Sequence, residues 1–450
     1  MTIKCVSMLL TPALIGCLAS ETAHPSGPDG GDHVSLDAPV EQGRSDEGDV
    51  IVPPPSPDAV LPNPDAYLTD VAPVDGVSLG GWWNQTFSRR RRLTLDTRLA
   101  SSGASLSDFP VALTIPANTV DSAAAGVAGA GLRFVDAAGT VLACDVEAWD
   151  SQGSSIVWLK LPNLSVAASA PIYMYYGASG TPQPAGDRQA VWPAPYTAVW
   201  HFAGKADDAT SSHFDGATIQ ATFDIGKLGQ AAKFNGAAHD HIGLANGIGI
   251  ISGAEAVTES AWVKTGAISK TGWGAVLAVG NTDKTGDTGR TQLYIWGSAS
   301  TYPFGGQPLG NALYGEINPM DVSGGWDFVS SPVNAINPGD WHYITVVFDV
   351  KGKSTNVYID GALVGGPLET SGHGGGVPRP GNWTATAFPT TPSDRVVIGA
   401  QEDLSHGYYD GLIDELRVER VARSAQWVAL QAIAVTGDAI TLGSEEHVLP

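Results

Sequence analysis

From residue 81 onward, apolar side chains fall at every second position in short runs, and Gly, Pro, Asp or Asn closes nearly every run. A period of two sends successive side chains to opposite faces of an extended strand. Arg91–Leu95, Phe109–Ile115, Leu132–Val135, Ile156–Leu161 and Pro171–Tyr176 follow this pattern first. Further runs begin at 199, 241, 260, 274, 292, 311, 340, 356, 395 and 409. Asp360-Gly361 is a hairpin turn pair between two of them. Only Ser424 to Ile433 has helical spacing, with Ser424 as its expected N-cap. With 55 glycines and 30 prolines to punctuate 450 residues, the chain reads as all-β, built of stacked antiparallel sheets. An apolar share of 43% is enough to fill such cores.

The amino-terminal part has another character. Lys4 precedes an apolar stretch from Val6 to Ile15, the layout of an export signal over residues 1–16, and too short to span a bilayer. Leu14-Ile15-Gly16-Cys17 resembles the lipobox of bacterial lipoproteins. That resemblance implies cleavage before Cys17, diacylglycerol on its sulfur, and a place in the cell envelope, with the outer membrane expected from Leu18 and Ala19. Residues 18–80 hold ten prolines and twelve acidic residues against the single base Arg44. Too few large apolar residues are present to offset ordering entropy, so residues 17–80 read as a disordered, self-repelling spacer. The whole chain carries a net charge of −22, which excludes nucleic acid and anionic lipid surfaces as partners. The membrane is reached through the lipid alone. Cys144 is then the one thiol left in the mature chain, and no internal disulfide forms.

Residues 81–182 read as a small β-sandwich. FPVALTIP at 109–116, GLRFVDAAGTVLACDVEAWD at 131–150, IVWLKLP at 156–162 and IYMYYG at 172–177 resemble the bacterial domain of unknown function 2341. That resemblance implies no chemistry. Arg89 to Arg92 read as a solvated strand start, and Trp82, Trp83, Trp149, Trp158, Tyr175 and Tyr176 either as sandwich core or as sugar-stacking rings.

After a Pro-rich joint, residues 196–445 carry Gly-x-x-Gly-x-Ala-x-x-Phe-x-Gly at 226–236, WHYITVVFD at 341–349, NVYIDG at 356–361 and YDGLIDELRV at 409–418. In this order they resemble the LamG-like jelly roll of the concanavalin A-like lectin/glucanase superfamily. The resemblance implies a second sandwich that binds glycans or cell-surface proteins, and less often hydrolyses polysaccharide. Glucanases of this superfamily use Glu-x-Asp-x-x-Glu. Here Leu412 and Arg417 occupy the two Glu positions around Asp414, so the hydrolytic pair that glycosidases need is missing. No organic cofactor is expected.

Two candidate sites follow. The resemblance implies a structural Ca2+ held by Asp208 and Asp215, with Asp414 or Glu415 opposite; the other reading is a solvated acidic turn. As neighbours in a strand, Asp414 and Glu415 are expected on opposite faces. His239 and His241 are a weaker pair for a transition metal, with no third ligand. Tyr302, Phe304, Trp326, Phe328 and Trp383 lie in long Gly/Pro-rich loops and are the expected ligand surface, because binding residues concentrate on loops held by a rigid scaffold. Equally, these rings seal the sandwich edge.

Overall fold

The computed structural model describes residues 81–179, 187–245, 249–266, 272–281, 288–298, 310–319, 327–365, 384–391, 393 and 395–448. The signal over 1–16, Cys17 and the spacer over 17–80 lie outside the described residues. The described residues form one compact unit.

The strands are β1 (Phe87–Leu95), β2 (Ser107–Ile115), β3 (Arg133–Val135), β4 (Cys144–Ala148), β5 (Ser155–Asn163) and β6 (Ile172–Ala178). There follow β7 (Tyr196–Trp200), β8 (Gly216–Ile219), β9 (Thr222–Ile225), β10 (Gln230–Phe234), β11 (Ile242–Leu244), β12 (Ala256–Thr265), β13 (Trp273–Asn281) and β14 (Thr288–Trp296). The remainder are β15 (Leu313–Asn318), β16 (Asp327–Ser330), β17 (Trp341–Asp349), β18 (Ser354–Ile359), β19 (Ala362–Gly365), β20 (Arg395–Ile398), β21 (Gly411–Glu419) and β22 (Ile440–His447).

Among the described residues these form four sheets. The first sandwich faces β22-β1-β6-β3 against β2-β5-β4. Leu93, Phe109, Leu113, Val157, Leu159 and Met174 fill the space between them. The second sandwich faces β19-β18-β17-β12-β21-β10-β9, with β7 also on β21, against β16-β15-β14-β13-β20-β11-β8. Its core holds Val257, Val263, Leu277, Leu293, Ile295, Ile344, Phe348 and Ile413. The two sandwiches share a seam. Ile156 and Trp158, on the face of β5 opposite the first core, pack in one apolar cluster with Trp192, Val199, Leu228, Trp262 and Tyr343.

The last strand corrects the sequence-based boundary. Residues up to 445 read as the second domain, yet β22 pairs with β1, Leu95 opposite Ile440 and Leu93 opposite Leu442. Ile440 faces the first core, and β22 gives β1 a second partner strand. The helix Ala425–Ala434 leads there, capped by Ser424 as expected. Its Trp427 meets Phe109 edge to face at 5.1 Å. The first sandwich is therefore completed by the end of the chain.

The arginine run is solvated only in part, with Arg92 exposed and Arg89 and Arg91 half-buried. Arg90 is buried, with its guanidinium over the rings of Trp82 and Tyr173 at 4.8 and 4.3 Å, and it bonds the Glu446 carboxylate at 2.8 Å. Arg91 donates to the Gly443 carbonyl at 2.9 Å and to the Thr119 carbonyl at 2.7 Å. These pairs lock β22 onto β1.

Candidate functional site

In the run Gln292-Leu-Tyr-Ile-Trp296 of β14, Leu293 and Ile295 enter the second core, so Gln292, Tyr294 and Trp296 point outward. The register continues that outward face across the sheet. Trp273 stands opposite Trp296, Tyr294 opposite Tyr314, Gln292 opposite Glu316, and Glu316 opposite Phe328. Five rings from four strands thus share one cluster outside the core. Tyr294 and Tyr314 lie 4.5 Å apart, and Phe328 stacks on Tyr314 at 4.6 Å. Tyr294, Trp296, Tyr314 and Phe328 are buried, whereas Trp273 is half-buried at the rim, edge-on to the exposed His406 at 5.1 Å. Gly407 lets the rim close, because a Cβ there would stand 2.8 Å from Trp273 Nε1 and its φ is +67°.

Beside the rings runs a polar row. The Arg290 Nε lies 3.3 Å from Glu316 and 3.6 Å from Glu402. Tyr294 donates its hydroxyl to Glu316 at 3.1 Å, and the Gln292 amide donates to Glu402. An outward sheet face ordinarily carries scattered polar residues. Here the face instead carries flat rings beside charged donors and acceptors, nearly all of them buried, with Trp273 the ring that reaches the rim.

A second cluster sits in the seam. In β4, Cys144 faces the first core, so Asp145 and Glu147 project to the other side. His201, next after β7, places Nδ1 at 2.8 Å from Glu415 and 3.7 Å from Glu147, and Nε2 at 3.1 Å from Asp145. Trp158 donates to Glu147 at 2.8 Å and Trp192 to Asp145 at 3.0 Å. Arg417 bonds Glu415 at 3.0 Å and lies over the rings of Trp158 and Trp192 at 4.5 and 5.0 Å. Burial alone would lower the His201 pKa, but Glu415 and Asp145 outweigh it and hold the imidazole up at about 10. Burial and the Glu415 charge push Glu147 and Asp414 well above the usual carboxylate range.

A β-bulge builds this cluster. Ser260 faces Arg417 and Trp262 faces Asp414, so β21 spends one residue more than β12, and Glu415 takes φ +53°. Ile413, Leu416 and Val418 stay in the core, while Asp414, Glu415 and Arg417 all turn to the seam. The expectation that Asp414 and Glu415 face opposite ways fails for that reason. The left-handed residue costs about 1–3 kcal/mol, which His201 and Arg417 offset.

With the geometry in view, comparison with known families is direct. Residues 235–429 match the concanavalin A-like lectin/glucanases superfamily. Residues 128–222 match the domain of unknown function DUF2341. Both resemblances read from the motifs hold, and the jelly roll is hereafter the concanavalin A-like domain. No curated protein matches the chain. Among solved structures, the fold is similar to domain 4 of AbnA, a GH43 extracellular arabinanase from Geobacillus stearothermophilus, in complex with arabinotriose. That match has 20% identity and TM-score 0.35, and covers 53% of this chain and 98% of that one. The binding domain of botulinum neurotoxin serotype G is matched at 12% identity and TM-score 0.35, over 53% of this chain and 50% of that one. The CBM40 of the Ruminococcus gnavus IT-sialidase, bound to α2,3-sialyllactose, is matched at 17% identity and TM-score 0.29, over 43% and 96%.

Of the loop aromatics singled out in the sequence, Tyr302, Phe304, Trp326 and Trp383 lie outside the described residues. Phe328 belongs to β16 and packs into the ring cluster. The strand residues Trp273, Tyr294, Trp296 and Tyr314 escaped the sequence reading, because alternation does not say which face is the core. The expected calcium ligands are not brought together. The Asp208 carboxylate accepts from Val199 N, Thr210 N, Thr210 Oγ1 and Phe214 N at 2.8–2.9 Å, which fills its acceptor positions. Asp215 accepts from the Asp208 amide at 2.7 Å. Asp414 accepts from the amides of Lys227 and Leu228, and Glu415 is held by His201 and Arg417. Asp208 organises its loop instead. His239 stacks on Tyr408 at 4.2 Å, and the His241 Nδ1 turns back to the His239 carbonyl, so this pair does not converge either.

Proposed function

We propose that this is a non-catalytic carbohydrate-binding protein of the cell envelope, lipid-anchored through Cys17, whose concanavalin A-like domain holds a surface or environmental polysaccharide on the outer face of its seven-stranded sheet. The observation that carries this reading is the continuous row of Trp273, Tyr294, Trp296, Tyr314 and Phe328 beside Gln292, Arg290, Glu316 and Glu402. Pyranose rings present flat C–H faces, which the half-buried Trp273 meets at the rim while the buried rings and ion pairs behind it hold it in place. Trp273 and His406 form the accessible edge where a glycan first makes contact.

Two considerations favour binding over hydrolysis. The Glu-x-Asp-x-x-Glu strand lacks both glutamates, and Asp414 is fully buried in the seam. On the ligand face, Glu316 and Glu402 are both engaged with Arg290 rather than poised as a separate acid and base.

The test is a glycan-array screen of the full chain, followed by Trp273→Ala. Binding to one polysaccharide class, weakened at least about tenfold in the variant with an unchanged melting midpoint, supports the reading. Capture of protein partners that free sugars do not displace would instead make the domain an adhesive module. Reducing ends released from the bound polysaccharide would make it a hydrolase.

A further inference from the structure

We infer that Glu147, His201 and Glu415 form a binding site for one first-row divalent cation of the zinc class, seated in the seam between the two sandwiches. Among the described residues this is the one place where three such side chains converge, with one ligand atom of each within 4.8 Å of the others. The spacing suits a small ion. Zinc bonds to nitrogen and oxygen of about 2.0–2.2 Å give a tetrahedral edge of about 3.4 Å. The His201 Nδ1 stands 2.8 Å from one carboxylate and 3.7 Å from the other, on either side of that edge.

Three independent features support it. The Glu147 Oε1 is a buried acceptor without a hydrogen-bond partner, although the side chain is fully enclosed. Such an orphaned oxygen is unfavourable until a donor or a cation satisfies it. Next, the far nitrogen of His201 is bonded to Asp145 at 3.1 Å. Metal-ligating histidines characteristically donate their other N–H to a carboxylate, which fixes tautomer and ring orientation. Finally, a cleft of about 90 Å3 lined by Asp145, Glu147, Arg188, His201, Lys205 and Asp207 reaches the cluster and supplies an entry path. The imidazole selects against calcium, which prefers an all-oxygen shell.

The cation draws ligands from both sandwiches, Glu147 from the first and His201 and Glu415 from the second, and so ties them together. Nothing in this depends on the glycan face.

The experiment uses the full chain stripped with chelator and titrated with ZnCl2 and, separately, CoCl2. One zinc per chain, a raised melting midpoint, and a cobalt spectrum of four-coordinate intensity are expected. Glu147→Gln retains an oxygen for the Trp158 N–H and is expected to weaken zinc at least about tenfold. If that variant fails to fold, the cobalt spectrum of the unaltered chain decides, since an octahedral spectrum would overturn the assignment. Absence of stoichiometric uptake between about pH 6 and 8, or uptake unchanged in both Glu147→Gln and Glu415→Gln, would also overturn it.

Discussion

Replacing Glu259 by Gln changes one polar atom in the interior of the concanavalin A-like domain. Glu259 lies on β12 with its side chain on the same face as Val257, Ala261 and Val263, all of them core residues. Its Oε1 accepts from the Thr291 hydroxyl at 2.6 Å, and its Oε2 is buried without a hydrogen-bond partner. Burial pushes the carboxyl from the ordinary 4.5 up to about 8, against the smaller pull of Thr291. The folded chain therefore holds a proton that the unfolded chain releases above about pH 4.5. Stability falls as pH rises through this window, levelling near pH 8, where the folded state ionises too. At about 1.4 kcal/mol per unit, the full penalty is about 5 kcal/mol. Glu259→Gln removes it, keeps an acceptor for Thr291, and buries an amide N–H2 at a cost of about 1–3 kcal/mol. The variant is predicted to be up to about 2 kcal/mol less stable than the parent at pH 5, where the unfolded carboxyl is already largely ionised, and about 2–4 kcal/mol more stable at pH 9. Urea unfolding of both chains across that range reads the crossover. A difference between them that is the same at pH 5 and pH 9 would refute the buried, protonated carboxyl.

Other expectations follow from particular contacts. Trp427→Ala, which empties the space against Phe109, is predicted to cost about 3–5 kcal/mol in a melt and to loosen β22 from β1, read as faster amide exchange in both strands. Asp208→Ala leaves the amides of Val199, Thr210 and Phe214 without their acceptor, and is predicted to lower stability by at least about 3 kcal/mol. Adding CaCl2 to the chelator-stripped chain should leave its melting midpoint where it is, and a rise that Asp208→Ala abolishes would restore Asp208 as a metal ligand. Cys17→Ser is predicted to abolish labelling by a fatty-acid precursor and to release the protein from the membrane fraction, and retention would contradict the anchor.

The elements that alternate most regularly were legible from the sequence, since each reports local burial. The β17 strand, the Asp360-Gly361 turn with φ of +52° and +82°, and the Ser424 cap stand where the sequence places them. What was not legible depends on distant partners. Arg90 and Glu446 are 356 residues apart, and only their pairing shows that the Arg90 charge is internal. Glu147, His201 and Glu415 meet because a bulge turns Glu415 by one position, and nothing in the local spelling of Asp414-Glu415 announces it. The ring face was missed for a third reason. Tyr294 and Trp296 alternate with Leu293 and Ile295, and both sets look apolar, so periodicity gave two faces without choosing the inner one.

Hydrogen–deuterium exchange of the full chain, with and without a polysaccharide that it binds on the array, tests the central assignment most directly. Added protection confined to β13 through β16 and to residues 401–407 is the predicted result. Protection that falls on the first sandwich or on the opposite sheet of the second, with those segments unchanged, would contradict the glycan face.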